Sequence, residues 1–148
     1  ANSVYQADVV KAALEAKGVN VTIYTFADSN DVATVTQTAC AENDALYIPT
    51  DNTAASCAEA INNVAEPAGV PIIAGEEGIC KGCGIATLSI DYYALGKTTG
   101  AMAAKILTGE ANVSEMPIEY YQNPVKKYEA SRCEALGITV PSDYVAIG

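Results

Sequence analysis

Four short clusters hold most of the side chains in this chain with chemical potential: Thr50-Asp51-Asn52-Thr53, Gly75-Glu76-Glu77-Gly78, the pair Cys80 and Cys83, and Asp91-Tyr92-Tyr93. Two of them share a pattern. In ALYIPTDNTAA (45–55) and ATLSIDYYALGKTTG (86–100) an apolar run ends in an Asp and passes into a small-residue helical pattern. Such a junction reads as a buried strand with a carboxylate at the first turn of a helix. In open α/β sheets, ligands bind outside the carboxyl ends of the strands. Paired carboxylates serve general acid–base catalysis or hold a cation by charge-assisted hydrogen bonds. An Asp or Thr at a helix start is also an N-cap, a role worth about 1 kcal/mol on its own. That role accounts for Asp91 as well as a site does. It accounts less well for Asp51, because TDNT offers four polar groups where one would cap the helix. Tyr92 and Tyr93 read either as packing or as an apolar wall beside a ligand.

Catalysis finds little support. The sequence has no His, so imidazole bases and imidazole metal ligands are excluded. There is no G-x-S-x-G elbow, phosphate-binding loop or G-x-G-x-x-G motif, and no catalytic residue or cofactor is assigned. The five cysteines are an odd number, and the lone C-x-x-C of GICKGCG cannot complete a zinc shell locally. It reads as reduced thiols, a local disulfide or, last, a redox or metal site. Carboxylates, hydroxyls and an amide grouped at helix starts suit binding. Helix amides hold a carboxylate and an Asp holds an ammonium, which together describe an amino-acid-sized zwitterion.

The bulk numbers agree. A chain of 148 residues, half of them apolar, is one domain's worth of globular protein. A net charge of −10 without a Lys/Arg cluster leaves nucleic acid and anionic membrane surfaces as poor partners. No apolar run reaches the roughly 18–20 residues that span a bilayer. Ala1 begins no signal-peptide pattern, so the chain reads as a processed or truncated product.

The elements that must position these clusters follow from periodicity. Ser3 and Gln6 form a capping box for a helix through Val9, Val10, Ala13 and Leu14, with Gly18 as its stop. Residues 19–26 alternate and read as a strand. A helix over 31–42, capped by Asn30 or Ser29, shows Val32, Val35 and Ala39 on one face. A short strand at 45–49 leads to a helix over 54–65, capped by Asn52 or Thr53, with Cys57, Ile61 and Val64 inward. Pro67 and Gly69 break the chain before a strand at 70–74, and GEEG reads as a loop. A strand at 85–90 runs into a long Asp91-capped helix to Leu107, striped by Leu95, Met102 and Ile106 and stopped by Gly109. Beyond it come a strand at 118–121, a helix over 124–136 and the closing YVAI. Strands alternating with helices of this length predict an α/β fold with a mostly parallel sheet. An opening strand is missing from that pattern.

NSVYQADVVKAALEAKG, YIPTDNTAAS, the run VPIIAGEEGICKGCGIATLSIDYYALGKTTGAMAAKILTGE and the closing ALGITVPSDYVAIG resemble ABC-transporter substrate-binding proteins of the tryptophan/tyrosine-type group. The resemblance covers essentially the whole chain. It implies the C-terminal half of a two-lobed protein of the type I periplasmic-binding fold, each lobe a parallel sheet between helical layers. Residues 1–116 are then the ligand-binding lobe, lacking its first strand, and 117–148 a tail that crosses back to the other lobe. It further implies no enzyme activity, an extracytoplasmic location (periplasmic or as a cell-surface lipoprotein) and an ABC permease as partner. The solute would be a small amino acid or related molecule, with Thr50, Asp51, Asn52, Thr53, Glu76, Glu77, Asp91 and Tyr92 at the ligand-facing edge. Cys80 and Cys83 depart from the small loop residues usual there. A transcriptional regulator's effector lobe shares the fold and is the alternative, with a carboxylate-dependent enzyme third. A chain lacking a strand and a lobe is also expected to dimerise by edge pairing.

Overall fold

The computed structural model describes residues 2–148, leaving Ala1 outside the described residues. Its helices are α1 (Asn2–Glu15), α2 (Val32–Glu42), α3 (Asn52–Ser56), α4 (Ala58–Ala68), α5 (Glu77–Cys83), α6 (Tyr92–Leu107) and α7 (Ala130–Ala135). Its strands are β1 (Leu46–Ile48), β2 (Ile72–Ala74), β3 (Ala86–Ser89), β4 (Val125–Tyr128) and β5 (Val145–Ala146), in one sheet of order β1-β2-β3-β4-β5. All neighbours are parallel except β3 and β4. The α/β architecture with a mostly parallel sheet is thus the one expected.

Register decides which side chains meet. Leu46 pairs with Ile72 and Ile48 with Ala74, while Ala74 pairs with Thr87 and Thr87 with Lys127. Because side chains alternate across a strand, these residues share one sheet face. That face carries the core: Ile72, Ala74 and Ile79 lie with Val32, Ala54, Ala58, Ile61 and Ala65. On α4 the buried residues Ala58, Ile61 and Ala65 recur at the spacing of one helical stripe. Each fully buried Ile contributes roughly 1.5–3 kcal/mol relative to exposure. The opposite face is thinly covered. Ile73 and Leu88 remain 42% and 57% exposed, and α1 and α6 have no buried residue.

Several local expectations are corrected. Residues 19–26 form no strand: β propensity needs an adjacent edge, and this segment is held instead by Tyr24, whose hydroxyl donates to Glu42 at 2.6 Å and accepts from Asn43 Nδ2 at 2.9 Å. Ser3 lies inside α1, not at its cap. The cap of α2 is Asp31, whose carboxylate accepts from Ala27 N at 3.2 Å and not from the helix. The helix expected over 54–65 is two pieces, divided at Cys57, and Asp51 caps the first. Pro67 sits within the last turn of α4, which ends at Gly69 with φ +70°. Residues 118–121 form no strand, with Ile118 and Tyr120 exposed. The helix expected over 124–136 is β4 followed by α7, because β4 pairs with β3 along all four of its residues.

Candidate functional site

Three strand ends meet at the carboxyl edge of the sheet. Gly75 N donates to Ile48 O at 2.7 Å, and Thr50 Oγ1 donates to Gly75 O at 3.4 Å, so the turn after β2 lies directly on the turn after β1. A Cβ on Gly75 would stand 2.7 Å from Thr50 N and 3.0 Å from the Pro49 carbonyl carbon. Only glycine allows this approach. Glu77 then joins the second turn to the third, because its Oε2 accepts from Ser89 Oγ at 3.3 Å.

The GEEG segment does not form the expected loop: it opens α5, and Cys80 and Cys83 lie on that helix. The helix is secured by close packing, since a Cβ on Gly82 would stand 2.5 Å from Ala58 Cβ. Glu76 is its N-cap. One carboxylate oxygen accepts from Gly78 N at 2.8 Å and the other from Ile79 N. Asp51 and Asp91 are also caps, with a difference. Asp51 Oδ1 alone accepts from both Thr53 N and Ala54 N, each at 3.0 Å. Asp91 Oδ1 alone accepts from Tyr93 N at 2.9 Å and Ala94 N at 3.0 Å. Each aspartate therefore keeps Oδ2 without a hydrogen-bond partner among the described residues. Capping and ligand contact are compatible in Asp51 and Asp91, whereas Glu76 spends both oxygens on its own helix. The capped amides are correspondingly engaged, so the expected role of these amides as carboxylate holders is filled by the protein's own acids.

Thr50, Asp51, Glu76 and Glu77 are brought together through Gly75. The side chains of Asn52 and Thr53 make no hydrogen bond among the described residues. Asp91 and Tyr92 stand at the end of β3 without a hydrogen bond to the other clusters, and Tyr92 is 57% exposed.

Three participants carry no local signal in the sequence. Gln6 Oε1 accepts from Thr50 N at 2.7 Å, across 44 residues. Lys127 Nζ lies 2.6 Å from Glu77 Oε2, across 50. Glu77 is therefore a paired acid, leaving Asp51 and Asp91 as the edge's free negative charge. Thr87, the cross-strand partner of Lys127, buries its hydroxyl without a partner among the described residues.

The Cys80 and Cys83 thiols are poor nucleophiles. All five cysteines are free, and Cys80, Cys83 and Cys133 are buried. Burial pushes the Cys80 thiol up to about 12 and Cys83 up to about 11, against the opposing pull of the Arg132 charge. Reactive cysteines need the reverse shift. Among the described residues no three His, Cys, Asp or Glu side chains group as metal ligands, and no helix is long and apolar enough to cross a membrane. A shallow groove of about 370 Å³ lies away from the edge, lined by Gln37, Cys40, Ala41, Asn63, Val64 and Ala68.

Comparison with known proteins gives consistent results. The family model of the ABC transporter substrate binding protein matches residues 1–146. A tyrosine-binding protein of Clostridioides difficile is 39% identical over 75 residues, covering 51% of this chain and 21% of that protein. The ligand-free, open structure of a substrate-binding protein with adhesive properties from Clostridium difficile is 32% identical, with a TM-score of 0.77 over 99% of this chain and 51% of that one. An ABC domain in complex with L-Trp from Streptococcus pneumonia gives 27% and 0.85, over 95% of this chain and 48% of that one. A conserved domain protein from Vibrio cholerae gives 26% and 0.86, over 98% and 50%. The chain spans about half the length of these solved relatives. The named homologues are substrate-binding proteins, not enzymes.

Proposed function

The chain belongs to the ABC transporter substrate-binding protein family, and on that premise we propose that it is one lobe of an extracytoplasmic protein that captures an amino acid for import. The solute lies against the carboxyl edge of the sheet, between this lobe and a second one. Asp51 Oδ2 and Asp91 Oδ2 face its ammonium, the side chains of Asn52 and Thr53 offer hydrogen bonds, and Tyr92 flanks its apolar part. Glu76 and Glu77 shape the edge from α5 without touching the ammonium. Of residues 117–148, the stretch that the resemblance assigns to the crossing toward the second lobe, β4 and β5 belong to this lobe's sheet. Ligand contacts from both lobes favour the closed form, which docks on an ABC permease.

One observation carries this reading. Two aspartates on the same carboxyl edge, after β1 and β3 with β2 between them, are each fixed through one carboxylate oxygen and keep the other open. A charge held in place loses little side-chain entropy on binding. The names of the tyrosine-binding relative and the L-Trp complex point the solute class toward aromatic amino acids. A thermal-shift screen of the full-length protein against the common amino acids tests this. L-tyrosine or L-tryptophan raises Tm, and mass action gives about 2.7 kcal/mol of stabilisation at a hundredfold excess over Kd. A flat response across all amino acids contradicts the proposal. A chain separated from its second lobe exposes sheet edge and apolar surface, so this half alone associates into dimers, as light scattering would report.

A further inference from the structure

The charged groups that hold the two ends of α5 come from one stretch of chain. At the first residue of the helix, Glu77 pairs with Lys127 of β4. At the far end Arg132 of α7 donates from Nη1 to Cys80 O at 3.2 Å and Gly84 O at 3.1 Å, and from Nη2 to Lys81 O and Gly82 O, both at 2.9 Å. Lys81 Nζ in turn donates to Gly148 O at 2.9 Å. The last carbonyls of a helix have no partner within it; here one guanidinium serves four carbonyls at that end, of which Cys80 O also accepts from Gly84 N at 2.9 Å. Arg132 is itself fixed from behind, by Nε to Asn62 Oδ1 at 2.7 Å on α4 and by Glu129 at 3.6 Å.

We infer that Lys127 and Arg132 are positioning residues that join α5 and residues 125–148 into one mechanical unit, holding Glu76 and Glu77 at the carboxyl edge. A planar fork bonded to four carbonyls cannot slide along the helix without breaking several bonds at once, whereas a lysine ammonium is a point donor on a flexible stem. Motion of 125–148 is thereby carried to the turn that abuts Thr50, and occupation of the edge is carried back. The inference rests on the reading of that edge as the solute wall.

Hydrogen exchange on the full-length protein, with L-tyrosine as probe, tests it. Without solute, Arg132→Lys speeds exchange of the α5 amides at least tenfold more than those of α4 and β1. Unchanged α5 exchange overturns the inference, and so does equal acceleration in every element, which is what a merely structural role gives. Lys127→Met, at the more exposed end, speeds the Gly78 and Ile79 amides severalfold, and Lys127→Arg restores them. No change with Lys127→Met also overturns it. With L-tyrosine, α5 and residues 125–136 slow together in the wild type and separately in Arg132→Lys, and joint slowing in the variant contradicts the coupling. Should L-tyrosine not bind, the ligand-class reading fails while the solute-free arms still decide the coupling.

Discussion

Replacing Arg132 by Met removes a cation whose side chain is only 16% exposed and that makes five hydrogen bonds: four to carbonyls at the end of α5 and one to Asn62. A hydrogen bond to a charged group is worth about 1.5–3 kcal/mol net, and an acceptor left buried and unpaired costs about 1–3 kcal/mol. These terms do not add, because Lys81 lies at the surface and water reaches part of the helix end. Breaking one partner out of a buried charged network costs about 3–5 kcal/mol, and that is the expected loss here. Against a total of about 5–15 kcal/mol the loss is large. With a urea m-value of about 3 kcal/mol per M, the full-length protein's unfolding midpoint falls by about 1–1.7 M. Arg132→Lys keeps the charge beside the carbonyls and recovers roughly half of that. A midpoint shift below about 0.3 M for Arg132→Met would refute the reasoning, because it would mean that the carbonyls are equally well served by solvent.

Two further outcomes follow from the same region. Cys80 and Cys83, with thiols raised by burial to about 12 and 11, resist iodoacetamide at pH 8 in the native protein and react readily in denaturant, as mass spectrometry would show. Their neutral form is favoured in the folded state, so the stability they contribute is complete below the ordinary thiol value of 9.0 and is lost as pH rises from there toward 11–12. Rising stability over that range would contradict their burial. Gly75→Ala drives a methyl into Thr50 N and Pro49 and separates the two turns, at a cost of about 1–3 kcal/mol, with weakened solute binding. Wild-type stability in urea would show that the turns do not touch.

What the sequence made legible was local. The apolar runs ending in Asp51 and Asp91 identify β1 and β3, and the Asp91 cap with them, because strand burial and capping act within a few residues; the cap after β1 is Asp51 and not the expected Asn52 or Thr53. Gly18 and Gly109 stop their helices with φ of +80° and +78°, as their placement implied. The helix α5 was not legible. GEEGICKGC has three glycines and a Glu cap in place of the preferred Ser, Thr, Asp or Asn, and it is helical because Gly82 fits against Ala58 and Arg132 gathers its last carbonyls. Residues 19–26 mislead in the other direction: alternation marks β propensity, but pairing depends on a neighbouring edge. Gln6, Lys127 and Arg132 reach partners 44–70 residues away, and nothing in their neighbours announces that. The edge acids were identified as a group, while the division among them needed atoms. Asp51 and Asp91 retain an open oxygen, Glu76 does not, and Glu77 is paired.

The central claim is that Asp51 both caps α3 and meets the solute. Asp51→Ser separates the roles, since serine caps about as well as aspartate but offers no carboxylate. Calorimetric titration of the full-length protein with L-tyrosine should show one site in the wild type. In Asp51→Ser, affinity should fall about tenfold to a hundredfold, the worth of one charge-assisted hydrogen bond of about 1.5–3 kcal/mol, with the urea midpoint held. Wild-type affinity in the folded variant would contradict the account and leave Asp51 as a cap alone.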